Sequence, residues 1–289
     1  MRILTASFAL LTLGVLAGCA QSPKPRVDDY ERVAHASGVD RSAITGSIGA
    51  QEPAEQAQQG GVRPALAGRV LMVGSTADLR LRPHEVVLTF DDGPHAKNTP
   101  AILDALDAFG VKATFMMVGQ MAEAHPQVAR DVARRGHTVG THSLDHHKLT
   151  DLKDAAALED IHSGQTVVGK VLAPTGIEPA PFFRFPYLAG SSFVRTQLGQ
   201  ENIVVLDVDV DSEDYRSESA SAVMARTLAR LDQRGGGIVL FHDLHARTAQ
   251  LMPEFLLALI QRGYRVVQLV PAPAVPFGRP IVTAEARTD

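Results

Sequence analysis

The segment Val86-Val87-Leu88-Thr89-Phe90-Asp91-Asp92-Gly93-Pro94 joins an apolar, β-branched run directly to two carboxylates and a turn. An apolar run of this length without polar alternation is the pattern of a parallel strand buried on both faces. A parallel strand needs a long crossover before its neighbour, and the next residues supply one. Asn98-Thr99-Pro100 reads as a helix start with proline in the first turn. Ile102, Leu103, Leu106 and Phe109 then recur at helical spacing, and Gly110 stops the helix.

The alternation continues downstream. Residues 111–118, 137–140, 182–185, 203–206, 238–241 and 264–269 read as further strands. Between them the spacing predicts helices over 126–135, 151–172, 192–198, 219–231 and 248–262, with glycine closing several of them. Strands alternating with helices predict a parallel sheet with helical crossovers. Seven such units suit an incomplete (β/α) barrel better than an open sheet. Residues 69–73 are a further candidate strand.

Upstream the composition changes. From residue 21 to 67 the chain is rich in Ala, Gln, Gly, Ser and Pro without core periodicity, as in a flexible tether. At the start, Arg2 precedes an apolar run from Ile3 to Leu16, followed by Ala17, Gly18 and Cys19. A run this short, ending in small residues, reads as a secretory signal and not as a membrane span. Cys19 is the one cysteine in 289 residues, so no intramolecular disulfide forms. Leu16-Ala17-Gly18-Cys19 resembles the bacterial lipobox. That resemblance implies cleavage before Cys19, acylation of Cys19, and stable anchoring by several acyl chains. Ala20 after the cysteine resembles an outer-membrane sorting signal. The expected location is therefore the cell envelope, lipid-anchored to a bacterial membrane, the outer one in a diderm. The expected divisions are a signal peptide (1–18), a lipidated N-terminus and tether (19–83), a catalytic domain (84–271) and a Pro-rich tail (272–289).

Hydrophobic residues at 45% and charged residues at 21% allow a globular core. A net charge of −4 gives no sign of the basic face a nucleic-acid binder presents. With no Trp and 5% aromatics, a broad aromatic platform for sugars is not expected. No pattern in the chain specifies an oligomeric state.

In (β/α) barrels the reacting groups sit at the C-terminal ends of strands. Here five predicted strands run into polar clusters: Asp91-Asp92-Gly93-Pro94, His142 to His146, Arg184 to Tyr187, Asp211 to Tyr215, and His242-Asp243. Each has an ordinary reading alone. Asp-Asp-Gly-Pro is a good turn, the two histidines suit a surface loop, and His242 suits a core position. Arg184, between phenylalanines and a proline, needs a carboxylate partner, for which Asp214 and Asp91 are the candidates. Five clusters on one face make a titratable site instead. A carboxylate and two imidazoles match a catalytic divalent metal with open positions. A second carboxylate beside it suits a general base, and a further histidine suits a general acid.

The wording and order of these clusters closely resemble carbohydrate esterase family 4, the NodB-type polysaccharide deacetylases, over roughly Glu85 to Leu269. The resemblance implies a distorted, incomplete α/β barrel of the NodB/glycoside hydrolase–deacetylase type, with about seven parallel strands. It implies Asp91 as general base, with Asp92, His142 and His146 as metal ligands; His147 does not fit the family spacing. Arg184 would orient Asp91, and the Tyr187 backbone N–H would help hold an oxyanion. Asp214 would tune His242, the general acid, and Leu240 would line an acetyl-methyl pocket. Tyr215 stands where the family commonly has Trp, and can still form a flat apolar wall. The implied cofactor is a divalent metal, zinc first, with Co, Mn or Ni as alternatives. The implied substrate is an acetylated polysaccharide containing N-acetylglucosamine, such as peptidoglycan, chitin or an exported glycan. An O-acetyl esterase on xylan-like glycans and a non-catalytic glycan-binding lipoprotein are the alternative functions.

Overall fold

The computed structural model describes residues 65–273. Cys19, the signal segment, nearly all of the tether and the tail beyond 273 lie outside the described residues. Among the described residues nine strands pair in parallel throughout: β1 (Ala67–Val73), β2 (Glu85–Asp91), β3 (Thr114–Met117), β4 (Thr138–Thr141), β5 (Phe182–Phe183), β6 (Val204–Val205), β7 (Val210–Asp211), β8 (Gly237–His242) and β9 (Arg265–Pro271). Seven α-helices among the described residues accompany them: α1 (Asn98–Ala108), α2 (Gly119–Ala124), α3 (Pro126–Arg134), α4 (Asp154–Leu172), α5 (Ser192–Gln200), α6 (Ala220–Arg234) and α7 (Ala246–Gln261). None of these is long and apolar enough to cross a membrane.

The strands run β7-β8-β2-β3-β4-β5-β6, and β6 does not pair with β7. The barrel is thus incomplete, as the sequence predicts. β9 joins the start of β2, where Glu85 and Val86 pair with Arg265 and Val266, and β1 lies outside β9.

Period-2 alternation divides each strand between two environments. Every residue of β2 is buried. Val86, Leu88 and Phe90 face the helices and pack with Ile102, Leu106, Leu251 and Phe255. Val87 points the other way, into a cluster with Met116, Phe182, Val204, Ile238, Val267, Leu269 and Val73 that contains no helical residue. That cluster is the barrel interior at its base. It is crowded: a Cβ on Gly140 would lie 2.8 Å from both Met116 Sδ and Phe182 O. Thr89 and Asp91 follow Val87 on the same inward row, as Leu240 and His242 follow Ile238 on β8. The apolar base therefore leads directly up to a polar rim.

Local signals set the helix limits. Ser191 and Ser219 each accept a backbone N–H at 3.2 Å and cap α5 and α6. α6 ends at Gly235, whose φ of 81° is left-handed. The predicted helices appear within a few residues of their expected limits. Three features differ from the sequence reading. The run 69–73 is a strand, extended to 67–73, and Val73, Leu71, Leu79 and Leu81 pack on the barrel base, so the end of the expected tether belongs to the fold. The strand expected over 111–118 is confined to 114–117 and is followed by the short helix α2. β7 is additional.

Leu269 is fully buried in the base cluster. Leu269→Ala should lower unfolding free energy by about 2–5 kcal/mol, read from urea denaturation.

Candidate active site

The inward rows of β2 and β8 end side by side, with Asp91 paired in register with His242. His142 follows β4 and Arg184 follows β5, so four strand ends deliver polar side chains to one rim. A cleft of about 430 Å³ opens there. It is lined by Asp91, Asp92, His142, His146, Phe185, Tyr187, Leu188, Asp211, Tyr215, Leu240 and His242.

Asp92 Oδ1 lies 3.3 Å from His142 Nε2 and 3.1 Å from His146 Nε2. His142 donates Nδ1–H to the Arg184 carbonyl at 2.8 Å, which turns its Nε2 towards Asp92. Asp92 Oδ1 is buried without a hydrogen-bond partner among the described residues. Burial alone would raise the Asp92 carboxyl, but the two imidazoles outweigh it and hold it far below the usual carboxylate range. Two ligand atoms about 2.0–2.1 Å from one tetrahedral ion stand roughly 3.3 Å apart. An orphaned carboxylate oxygen and two imidazole nitrogens at that spacing fit a divalent metal.

His147 is not part of this group. Its Nδ1 meets Asp145 Oδ1 at 2.8 Å and the side chain is mostly exposed. Asp160 stands beside that pair and accepts the Leu144 N–H at 2.9 Å. Burial and the neighbouring Asp145 raise the Asp160 carboxyl.

Of the two candidate partners for Arg184, the structure selects Asp91. Arg184 Nη1 donates to Asp91 Oδ1 and to Thr89 Oγ1, both at 2.7 Å, and Nε donates to the Leu206 carbonyl at 2.9 Å. Asp91 Oδ2 lies 3.7 Å from His142 Nε2. Asp214 instead serves His242. Its Oδ1 meets His242 Nδ1 at 2.7 Å, and its Oδ2 accepts the His242 backbone N–H at 2.8 Å and Thr248 Oγ1–H at 2.5 Å. Burial would raise the Asp214 carboxyl, but these bonds hold it below the usual range. Burial would likewise lower His242, but Asp214, with Asp92 and Asp91 further off, pushes the imidazole up to about 9. With Nδ1 engaged, Nε2 is the nitrogen His242 has available for the cleft.

Tyr187 is 64% exposed, with its ring 4.7 Å from that of His146. Tyr215 stands edge-on to His242 at 5.6 Å, and its hydroxyl donates to Asp211 Oδ2 at 3.1 Å. Leu240 is buried on the cleft wall. Every site residue expected within 65–273 thus lies in the cleft or bonds to a residue that does. The sequence reading assigned no part to Thr89, Thr248, Phe185, Leu188 or Asp211. Thr89 lies on the inward row with Asp91, a signal that alternation alone contains.

A parallel α/β barrel with a carboxylate and paired imidazoles at its C-terminal strand ends is the architecture of a metal-centred site. The model of the polysaccharide deacetylase family matches residues 79–205. The peptidoglycan-N-acetylglucosamine deacetylase of Listeria monocytogenes is 34% identical over 184 residues, 64% of this chain and 38% of that protein. The peptidoglycan-N-acetylmuramic acid deacetylase of Bacillus subtilis is 31% identical over 183 residues, 63% of this chain and 37% of that protein. A solved peptidoglycan deacetylase of Bdellovibrio bacteriovorus superposes with a TM-score of 0.62 at 31% identity, over 86% of this chain and 68% of that one. The chain belongs to the polysaccharide deacetylase family. It spans less than two fifths of the length of the Listeria and Bacillus proteins.

The His242–Asp214 pair gives a direct test. In metal-free protein the His242 imidazole should titrate near 9 by NMR. Asp214→Asn removes the charge that stabilises the imidazolium, so the midpoint should fall towards the ordinary value of about 6.5.

Proposed function

We propose that this protein is a zinc-dependent deacetylase that hydrolyses the acetamide of N-acetylglucosamine units in a cell-envelope polysaccharide, peptidoglycan first. The observation that carries the proposal is the meeting of Asp92, His142 and His146 at coordination spacing, between Arg184-bound Asp91 and Asp214-bound His242. The names of the relatives support a cell-wall glycan as substrate. The lipobox at Cys19 supports lipid anchoring to a bacterial membrane, the outer one in a diderm.

Asp92, His142 and His146 would hold the ion. When bound, such an ion polarises an acyl oxygen and brings the pKa of a water towards about 7. Asp91, oriented by Arg184, accepts the proton of the attacking water through the oxygen that Arg184 leaves free. The water oxygen bonds to the acetyl carbon. The Tyr187 backbone N–H supports the charge that develops on the acyl oxygen. His242 donates its Nε2 proton to the sugar nitrogen as the C–N bond breaks, giving a free amine and acetate. The Asp214 carboxylate raises the imidazole above its ordinary value and so favours the protonated form that a general acid needs. Leu240 and Tyr215 form the apolar sides around the acetyl group.

Asp91→Asn should lower kcat by at least about 10²-fold with metal content unchanged, because a general base is worth about 10²–10⁴. His142→Ala should lose the metal itself, read by elemental analysis of the same preparation. Acetate release is to be measured in parallel from peptidoglycan, chitin oligomers and acetylated xylan. Release from xylan alone would replace the amide reading with an O-acetyl esterase. Glycan binding with no release from any of the three would replace it with a binding module.

A further inference from the structure

Beyond His242, β8 delivers one more carboxyl that the chemistry above does not use. Asp243 is 1% exposed. Its backbone N–H donates to the Asp91 carbonyl at 3.3 Å. Its Oδ2 accepts Thr99 Oγ1–H at 2.5 Å. Thr99, in the first turn of α1 and fully buried, accepts the His95 backbone N–H on the same oxygen at 2.7 Å. The carboxyl group also lies against Gly93, where a Cβ would come within 2.1 Å of Oδ1 and 2.2 Å of Oδ2. One residue further, the Leu244 carbonyl accepts Asn98 Nδ2–H at 2.8 Å.

These contacts fall on the segment between β2 and α1, which carries Asp92, and on the residues at its two ends. Asp92 itself has a φ of 73°, a left-handed conformation that an aspartate holds only when its surroundings impose it. On the far side the Val118 N–H donates to the Gly93 carbonyl at 3.1 Å. The loop is thus gripped between β3 and the end of β8. On the β8 side, the buried side chain that touches both Gly93 and Thr99 is Asp243.

We infer that Asp243 is a positioning residue for the metal ligand Asp92, setting the 92–98 loop through Thr99 and Gly93. It touches neither substrate nor ion. The inference rests on the metal site proposed above. A residue that merely completes the fold would change stability and leave the affinity of the folded protein for metal unchanged. A positioning residue changes that affinity.

The experiment compares the full chain with Asp243→Ala, Asp243→Asn and Thr99→Val. Zinc affinity is read by competition with a chelator, and the urea midpoint is read on chelated protein. Asp243→Ala and Thr99→Val should weaken zinc binding by about 10–100-fold, the usual effect of removing a partner that orients a metal ligand. Asp243→Asn keeps an acceptor for Thr99 in the same space and should restore most of the affinity. Wild-type affinity in Asp243→Ala overturns the inference, whatever its urea midpoint. If Asp243→Ala does not fold, wild-type affinity in Thr99→Val overturns it equally. Equal weakening in the Asn and Ala variants would also overturn it, because charge and not placement would then be the cause. Absence of zinc binding by the unmodified chain would sink the metal-site reading first and this inference with it.

Discussion

The guanidinium of Arg184 ties β2 to the end of β6 across the barrel. It is 1% exposed, and burying it carries a large desolvation cost. That cost is offset by three bonds that reach two strands: to Asp91 and Thr89 on β2, and to Leu206 just after β6. The backbone carbonyl of the same residue fixes the tautomer of His142, which follows β4. One residue therefore orients the proposed base and a proposed metal ligand at once. A lysine would supply the charge without the planar fork that reaches all these acceptors together.

The order of chemistry around the rim follows from the order of strands. β8, β2, β3 and β4 are neighbours in that sequence. His242, Asp91 with Asp92, and His142 with His146 stand at the ends of the first, second and fourth. The proposed acid, His242, is thus separated from the proposed ligand pair His142 and His146 by the proposed base, Asp91. Each of the two proposed proton-transfer groups is held by an ionisable partner, Asp91 by Arg184 and His242 by Asp214. His242 and Asp91 lie in direct strand register, so their relative height is set by β-sheet hydrogen bonding and not by a flexible loop.

Much of this was legible in the sequence because parallel barrels place function after apolar runs. Val86–Phe90 followed by two aspartates, and Ile238–Phe241 followed by His242, are a strand and its active end written consecutively. Convergence came from topology that alternation implies. What the sequence left open had physical causes. β7 lies in Asp207-Val208-Asp209-Val210-Asp211, where alternating aspartates hide a two-residue strand. α2 has six residues, too few for a helical period to declare itself. β1 exposes Val70 and Met72 on its outer face, so it lacks the clean inward pattern of an internal strand. The partner of Arg184 was ambiguous because both Asp91 and Asp214 stand at strand ends. Only distance in the folded chain separates them, and Asp214 is already engaged by His242 and Thr248.

Strain and stability occupy opposite ends of the barrel axis. Among the described residues, eight non-glycine residues have positive φ, and six of them lie on the loops around the cleft: Asp92, Ser143, His146, Tyr187, Leu188 and Glu213. Such conformations cost of order 1–3 kcal/mol each and persist only when the surroundings over-determine them. Two of the three proposed metal ligands are in this set, and their side chains converge because the backbone departs from ordinary geometry. The stabilisation that permits this comes from below. Val87, Met116, Phe182, Val204, Ile238, Val267 and Leu269 fill the base, and β1 and β9 close it with strands drawn from both ends of the described chain. The residues joining the two ends are the inward rows of β2 and β8, which begin as apolar packing and finish as Asp91 and His242. Asp91 and His242 are thus held in place by the same strands that bury the core.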